Sequence, residues 1–161
     1  MARYRKKHRL AVQHYQSKKI YFVTIATANR KAVFLSDKIV NSHLKVLARV
    51  SEKWAFDVLA YCYMPDHLHL LIVGKSPISS LPKLIGAYKQ ATGYQYKQQT
   101  GNPIWQKSFY DHILRKEESI FAAARYILNN PVRKQLVEHP ADYPYAGSLV
   151  YEQAIFDAVS E

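Results

Sequence analysis

Two histidines separated by one leucine lie in a stretch that otherwise has the pattern of a buried β-strand, MPDHLHLL at 64–71. Side chains alternate between the two faces of a strand, so His67 and His69 are expected to point to the same side. Two adjacent imidazoles make half of a site for a divalent ion. The alternative is a structural pair, each imidazole hydrogen-bonded to a neighbour, because seven histidines in 161 residues can give this spacing by chance.

A predicted helix further along the chain carries groups that could complete such a site. Tyr126 and Asn130 are four residues apart and so fall on one helix face. The amide oxygen of Asn130 could join the imidazoles around Mg²⁺ or Mn²⁺, which keep positions open for phosphate oxygens. The phenol of Tyr126 could then attack a phosphodiester. The alternatives are a tyrosine that only packs and a polar residue at a helix end.

Composition favours a single domain that binds a polyanion. The 161 residues can bury a core of their own, and 23 Lys and Arg against 12 Asp and Glu leave a net charge of +11. Such an excess favours nucleic acid as the partner. The single cysteine, Cys62, excludes an internal disulfide and fits a reducing compartment. With no apolar run of membrane-spanning length and no signal-peptide pattern, we expect a cytoplasmic protein without membrane contact, associated with the nucleoid when bound to DNA.

Two basic segments are candidate DNA-binding surfaces. The arm at 1–19 is either a solvated tail or a nucleic-acid contact, and the overall charge favours the contact. A predicted helix over 79–98 carries lysines beside glycines, which allow a phosphate backbone to approach closely, although an ordinary exposed face has the same pattern. The predicted DNA-binding residues are Arg3, Arg5, Lys6, Lys7, Arg9, Lys83, Lys89 and Lys97.

Hydrophobic periodicity divides the rest of the chain into strands and helices. Strands are predicted at 20–27, 56–64, 67–73 and 105–114, and helices at 36–53, 79–98 and 117–130. Pro131 is expected to end the last helix. The order β-α-β-β-α-β plus a helix predicts an α+β, ferredoxin-like antiparallel sandwich. The first two helices would cover one face of the sheet, and the added C-terminal helix would bring Tyr126 over the other. The expected divisions are the arm at 1–19, a catalytic domain at 20–148 and a tail at 149–161.

Several short strings carry a resemblance to a known family. They are MPDHLHLL at 64–71, WQ at 105–106, YDH at 110–112, RYI at 125–127, NPVR at 130–133 and DYP at 142–144. Over roughly residues 15–148 the chain resembles the REP-associated tyrosine transposases, within the wider HUH single-tyrosine transposase group. The histidine string followed at this distance by YI-x-x-NPVR is specific to that family, whereas the histidine string alone is not.

The resemblance implies roles for individual residues. His67, His69 and Asn130 would bind the metal, and Tyr126 would form a 5′-phosphotyrosine on single-stranded DNA, leaving a free 3′-hydroxyl. The implied substrates are imperfect hairpins of repetitive extragenic palindromes, cut near a tetranucleotide at the hairpin foot that the basic arm helps to read. Relatives act either as monomers or as homodimers.

The chain departs from the family pattern at two positions. Gln135 stands where the family commonly has glycine, which concerns only a local turn. Met64 stands where the wider group has an acidic residue, and Asp66 is interpreted chiefly as a turn former, with support of the metal site as the alternative. His112 on the fourth strand is interpreted as a structural histidine.

These observations predict a metal-dependent single-stranded DNA endonuclease and strand transferase. One alternative is a non-catalytic hairpin-binding protein on the same fold. A small metal hydrolase with a non-nucleic substrate is disfavoured by the net charge of +11 and by the lack of a third histidine or a carboxylate at zinc-site spacing.

Overall fold

The computed structural model describes residues 19–115, 118–151 and 155–157. Arg3, Arg5, Lys6, Lys7 and Arg9 lie outside these residues. The elements are β1 (Ile20–Ala26), α1 (Asp37–Lys53), β2 (Phe56–Met64), β3 (His67–Gly74), α2 (Leu81–Thr100), β4 (Tyr110–Ile113), α3 (Ile120–Leu128), α4 (Asn130–Arg133) and β5 (Ala146–Gly147). None of the helices in the described residues combines the length and apolar character needed to cross a membrane.

The five strands form one antiparallel sheet in the order β4-β1-β3-β2-β5. The first four strands in this order have the ferredoxin-like arrangement, which confirms the predicted fold class. In the register, His69 lies opposite Thr24 of β1 and Cys62 of β2, and His67 lies opposite Ala26 and Met64. Residues directly opposite each other share a face. The histidines are therefore at the centre of the sheet, with β1 and β2 on either side.

Helices cover both faces of the sheet. On one face α1 and α2 pack over a core that includes Val23, Leu68 and Leu70. On the other face α3 places Ala124, Ile127 and Leu128 against Ala60, Cys62 and Leu71. Leu68 and Leu70 of β3 thus point to one layer, whereas the two histidines and Leu71 point to the other. The predicted position of the last helix over the histidine-bearing face is confirmed.

The predicted fourth strand was too long. Only Tyr110–Ile113 pairs with β1, and Trp105 makes a single bridge to Thr27. The indole Nε1 of Trp105 donates to Thr92 Oγ1 of α2 at 2.8 Å, which draws this segment away from the sheet and into the helical layer.

The prediction that Pro131 ends the Tyr126 helix is wrong. The helix α3 begins after Ser119, whose Oγ accepts from Ala122 N at 3.2 Å, and it ends at Leu128. Pro131 lies in the first turn of α4, where its missing N–H removes no helical hydrogen bond. Asn130 therefore belongs to α4 and not to the helix that carries Tyr126.

The segment after α4 contributes a strand and buried side chains to the domain. Ala146–Gly147 adds the edge strand β5 to β2. Ile155 and Phe156, within the predicted tail, are buried in the cluster beneath α3.

Candidate active site

The two imidazoles of β3 converge on one point beneath α3 and α4. Their Nε2 atoms are 3.0 Å apart, and the rings cross at 78°. His67 is buried, with 7% of its surface exposed. The alternation along β3 places both rings on the face opposite the leucine core, as the sequence predicted.

The outer nitrogen of each imidazole has an oxygen partner that fixes its orientation. His67 Nδ1 lies 2.7 Å from Asp66 Oδ1, and His69 Nδ1 lies 2.8 Å from Thr24 Oγ1. When each Nδ1–H donates to its oxygen, both Nε2 atoms present lone pairs to the same point. Two lone pairs at this distance repel each other unless a proton or a cation lies between them. Outer oxygens that hold histidines in this way are typical of metal sites.

A third side chain reaches the same point from α4. Asn130 is 4% exposed, and its Nδ2 lies 3.4 Å from His67 Nε2, so a rotated amide would present its oxygen there. Two neighbouring ligands of an octahedral ion, each about 2.1 Å from it and at a right angle to each other, are about 3.0 Å apart. The two Nε2 atoms have this separation. In the described ranges, no group of three or more His, Cys, Asp or Glu side chains is arranged so that these residues alone could hold a metal ion. The His-His-Asn set therefore fits a divalent ion that keeps other positions open.

Asp66 makes side-chain contacts in addition to forming the turn. It does lie on the tight turn between β2 and β3, but its Oδ1 meets His67 and its Oδ2 accepts from Arg30 Nε at 3.0 Å. The turn itself is held by Thr27, whose N and Oγ1 both donate to the Asp66 carbonyl at 3.0 Å. The adjacency of Asp66 to His67 was the sequence signal for this contact. Nothing in the sequence pointed to Arg30, which reaches the turn from a left-handed backbone conformation with φ 55°.

Burial sets the charge state of the site. Burial, together with the neighbouring His67, Arg133 and Arg30, lowers the pKa of His69 to about 3. Burial also lowers the pKa of His67, against the opposing effect of Asp66. For Asp66, burial acts to raise the pKa, but the hydrogen bond from His67 and the charge of Arg30 lower it overall. At neutral pH the imidazoles are neutral and the carboxylate is ionised, which is the state that metal ligation requires.

Tyr126 stands beside the histidines and is open to solvent. It is 52% exposed, and its ring packs against the edge of Phe22 with ring centres 5.7 Å apart. The Phe22 ring in turn lies 5.6 Å from that of His69. The guanidinium carbon of Arg133 lies 3.9 Å from the centre of the Tyr126 ring. The predicted nucleophile is therefore one aromatic ring away from the paired imidazoles, although it lies on a different helix from Asn130.

An open depression of about 410 Å³ borders Tyr126 on the side of β4. Phe22 and Ala122 contribute to its apolar lining. Its polar side includes His112, whose Nε2 lies 3.0 Å from the Glu118 carboxylate oxygens. His112 thus has a hydrogen-bond partner, as expected for a structural histidine.

The lysines predicted to bind DNA lie on α2, which covers the other face of the sheet. Lys89 Nζ donates to the Gln106 and Ser108 carbonyls at 2.6 and 3.2 Å, so it holds the segment before β4. The ammonium of Lys83 lies 5.1 Å from the centre of a Trp54 ring. Lys97 is in the last turn of α2. The structure therefore does not bring these lysines together with the histidines.

Known proteins match both the sequence and the fold. A family model described as "Transposase IS200 like" matches residues 15–130. The chain belongs to the IS200-like transposase family. A Haemophilus influenzae protein named as a REP-associated tyrosine transposase is 28% identical over 145 residues, covering 79% of this chain and 78% of its own length. The REP-associated tyrosine transposase of Escherichia coli K12 is 24% identical over 130 residues, covering 78% and 74%. The resemblance to REP-associated tyrosine transposases is confirmed.

Solved structures show the same fold. A REP-associated tyrosine transposase bound to a REP hairpin superposes on this IS200-like transposase with a TM-score of 0.69 and 22% identity, covering 91% of this chain and 82% of that one. A Deinococcus radiodurans crystal structure named as a transposase gives a TM-score of 0.53 and 19% identity, covering 80% and 92%. The α+β sheet architecture of this chain is therefore that of the solved transposases. Enzymes of this transposase family generally use a divalent metal.

Proposed function

We propose that this IS200-like transposase cuts and transfers single-stranded DNA beside hairpins through a covalent bond to Tyr126. In this proposal His67, His69 and Asn130 hold a Mg²⁺ or Mn²⁺ ion. The observation that carries the proposal is the convergence of two oriented imidazoles and a buried carboxamide beside a half-exposed tyrosine. The bound ion would polarise the scissile phosphate and stabilise the leaving oxygen.

The protein's own residues supply position and charge state. With each Nδ1–H donating to Asp66 or Thr24, both Nε2 lone pairs would be available to hold the ion. The Tyr126 oxygen attacks the phosphorus, forming a phenol–phosphate bond while the bond to the 3′ oxygen breaks. The phenolic proton is lost and the 3′ oxygen gains a proton. Because one phosphodiester replaces another, attack by a second 3′-hydroxyl rejoins DNA without a nucleotide cofactor.

A DNA hairpin is the proposed partner. The net charge of +11 favours a polyanion, and a solved relative of the same fold is bound to a REP hairpin. The depression beside Tyr126 has room for a nucleotide next to the scissile phosphate. Lys83, Lys97 and the basic arm would contact the backbone further away, whereas the ammonium of Lys89 is bound to carbonyls of the fold. In this proposal one chain supplies all four site residues.

The test is a covalent protein–DNA adduct. The protein is incubated with Mn²⁺ and a library of labelled hairpins with randomised single-stranded flanks, and the products are separated on a denaturing gel. We expect an adduct with the native protein, none in chelator, and none with Tyr126→Phe, although that variant still binds the library.

Tyr110→Phe is the matched control. Tyr110 is also exposed, at 46%, and it lies on β4 opposite Thr24, on the same face of the sheet. This variant should form the adduct normally. An adduct with Tyr126→Phe would assign the nucleophile to another group. Hairpin binding by the native protein without any adduct would favour the non-catalytic binding protein. Salt dependence cannot separate the two functions, because both predict a slope of about 0.7 log units per single-strand phosphate neutralised.

A further inference from the structure

Arg133 contacts both the proposed nucleophile and the proposed third ligand. Its guanidinium carbon lies 3.9 Å from the centre of the Tyr126 ring, and its Nη2 donates to Asn130 Oδ1 at 3.3 Å. Arg133 is the last residue of α4, three residues after Asn130, so the two side chains lie one turn apart. The proposed function assigns no role to this side chain.

The contact with Arg133 fixes which end of the amide faces the imidazoles. With Oδ1 held by the guanidinium, the Nδ2 of Asn130 points to His67 Nε2 at 3.4 Å. A hard divalent ion binds the oxygen of an amide and not its NH₂ group, which only donates hydrogen bonds. To present its oxygen to an ion between the imidazoles, the amide must turn over, which brings its NH₂ group towards another donor. With the guanidinium in its observed position, the arginine contact and ligation by Asn130 therefore exclude each other.

We propose that Arg133 is a positioning residue that changes partner when the site takes up its ion. Before that, it holds the Asn130 oxygen away from the imidazoles. When the carboxamide turns to the ion, the guanidinium is released beside Tyr126 and binds a phosphate oxygen of the DNA. A planar guanidinium suits this second partner, because its fork of donors matches the oxygens of a phosphate. The inference rests on the proposed function and links metal binding to phosphate binding through one side-chain rotation.

The first measurement is Mn²⁺ affinity in the absence of DNA, from the electron paramagnetic resonance signal of free Mn²⁺. Arg133→Met is compared with Lys134→Met. Both side chains are exposed, and each acts on one imidazole, Arg133 lowering the pKa of His69 and Lys134 that of His67. Each variant thus removes one positive charge near the site, but only Arg133→Met also removes the competitor for the Asn130 oxygen. We expect Mn²⁺ to bind Arg133→Met about three- to tenfold more tightly than Lys134→Met, the range that one hydrogen bond gives.

The second measurement is the rate of adduct formation at saturating Mn²⁺. Arg133→Met should be slower than the native protein by about tenfold or more, because a charge-assisted contact to phosphate is lost. Lys134→Met should stay within about twofold of the native rate. Tighter metal binding together with slower chemistry is a combination that a merely structural arginine would not give.

The outcomes separate this inference from the proposed function. Equal Mn²⁺ affinities in the two variants would overturn the change of partner, even if Tyr126→Phe abolishes the adduct as expected. A native adduct rate in Arg133→Met would overturn the phosphate contact. If the native protein formed no adduct, the proposed function would fail, and the Mn²⁺ comparison would still decide whether Arg133 competes for the carboxamide.

Discussion

Asparagine at position 66 should weaken divalent-metal binding, although Asp66 is not one of the proposed ligands. The carboxylate has one oxygen 2.7 Å from His67 Nδ1 and the other 3.0 Å from Arg30 Nε. An amide has a single acceptor oxygen, and the cationic guanidinium should take it because charge-assisted hydrogen bonds are the stronger ones. The NH₂ group then faces His67 Nδ1, which can accept from it only if the imidazole proton moves to Nε2. A ligand lone pair thereby becomes an N–H that points at the ion.

The expected loss follows from the role of such outer contacts. Removing the partner of a metal-bound histidine typically costs 10–100-fold in affinity, or about 1.4–2.7 kcal/mol. Isothermal titration with Mn²⁺ at neutral pH measures this directly. The control is Asp57→Asn, which removes the same charge from a carboxylate that pairs with Lys75 Nζ at 3.1 Å. It should bind Mn²⁺ within about twofold of the native protein. Equal affinities in the two variants would refute the assignment of Asp66 as the residue that orients His67.

Three further predictions test other parts of the structure. Thr24→Val should weaken Mn²⁺ binding by about tenfold in the same titration, because it removes the oxygen 2.8 Å from His69 Nδ1. Burial lowers the pKa of His43 to about 4. As the pH falls below about 6.5, this imidazole therefore gains its proton in the unfolded chain before it does so in the folded protein. The free energy of unfolding should then drop by about 1.4 kcal/mol per pH unit for this group. His43→Gln keeps a partner for the Tyr88 hydroxyl, and urea denaturation at pH 5 and 7 should show a smaller pH dependence. Lys89→Met leaves two carbonyls without their donor and should lower the urea-derived stability by about 1–3 kcal/mol, whereas an unchanged midpoint would contradict its structural role.

Local sequence patterns were sufficient to predict the parts of the site that lie on single strands. The alternation of histidine and leucine along 67–70 predicts both the buried core face and the paired imidazoles, because a strand has a strict period of two. The bounds of β2, Phe56–Met64, were predicted correctly.

Partners that depend on the pairing of distant segments could not be predicted in the same way. Thr24 meets His69 only through the register of β1 against β3, 45 residues apart in sequence. Arg30 reaches Asp66 from a left-handed backbone that no residue preference indicates. The rule for proline indicates a helix boundary but not a second helix that begins beside it, so Asn130 was placed on the wrong helix. The strand β5 has two residues, too few to show a period.

The central claim is that Tyr126 forms the bond to DNA, and peptide mapping of the adduct tests it most directly. Trypsin cuts after Arg125 and Arg133, which releases YILNNPVR, a peptide in which Tyr126 is the single tyrosine. After digestion of the DNA, mass spectrometry should find this peptide carrying a nucleotide phosphate on its tyrosine. A nucleotide on any other peptide, with 126–133 unmodified, would contradict the account.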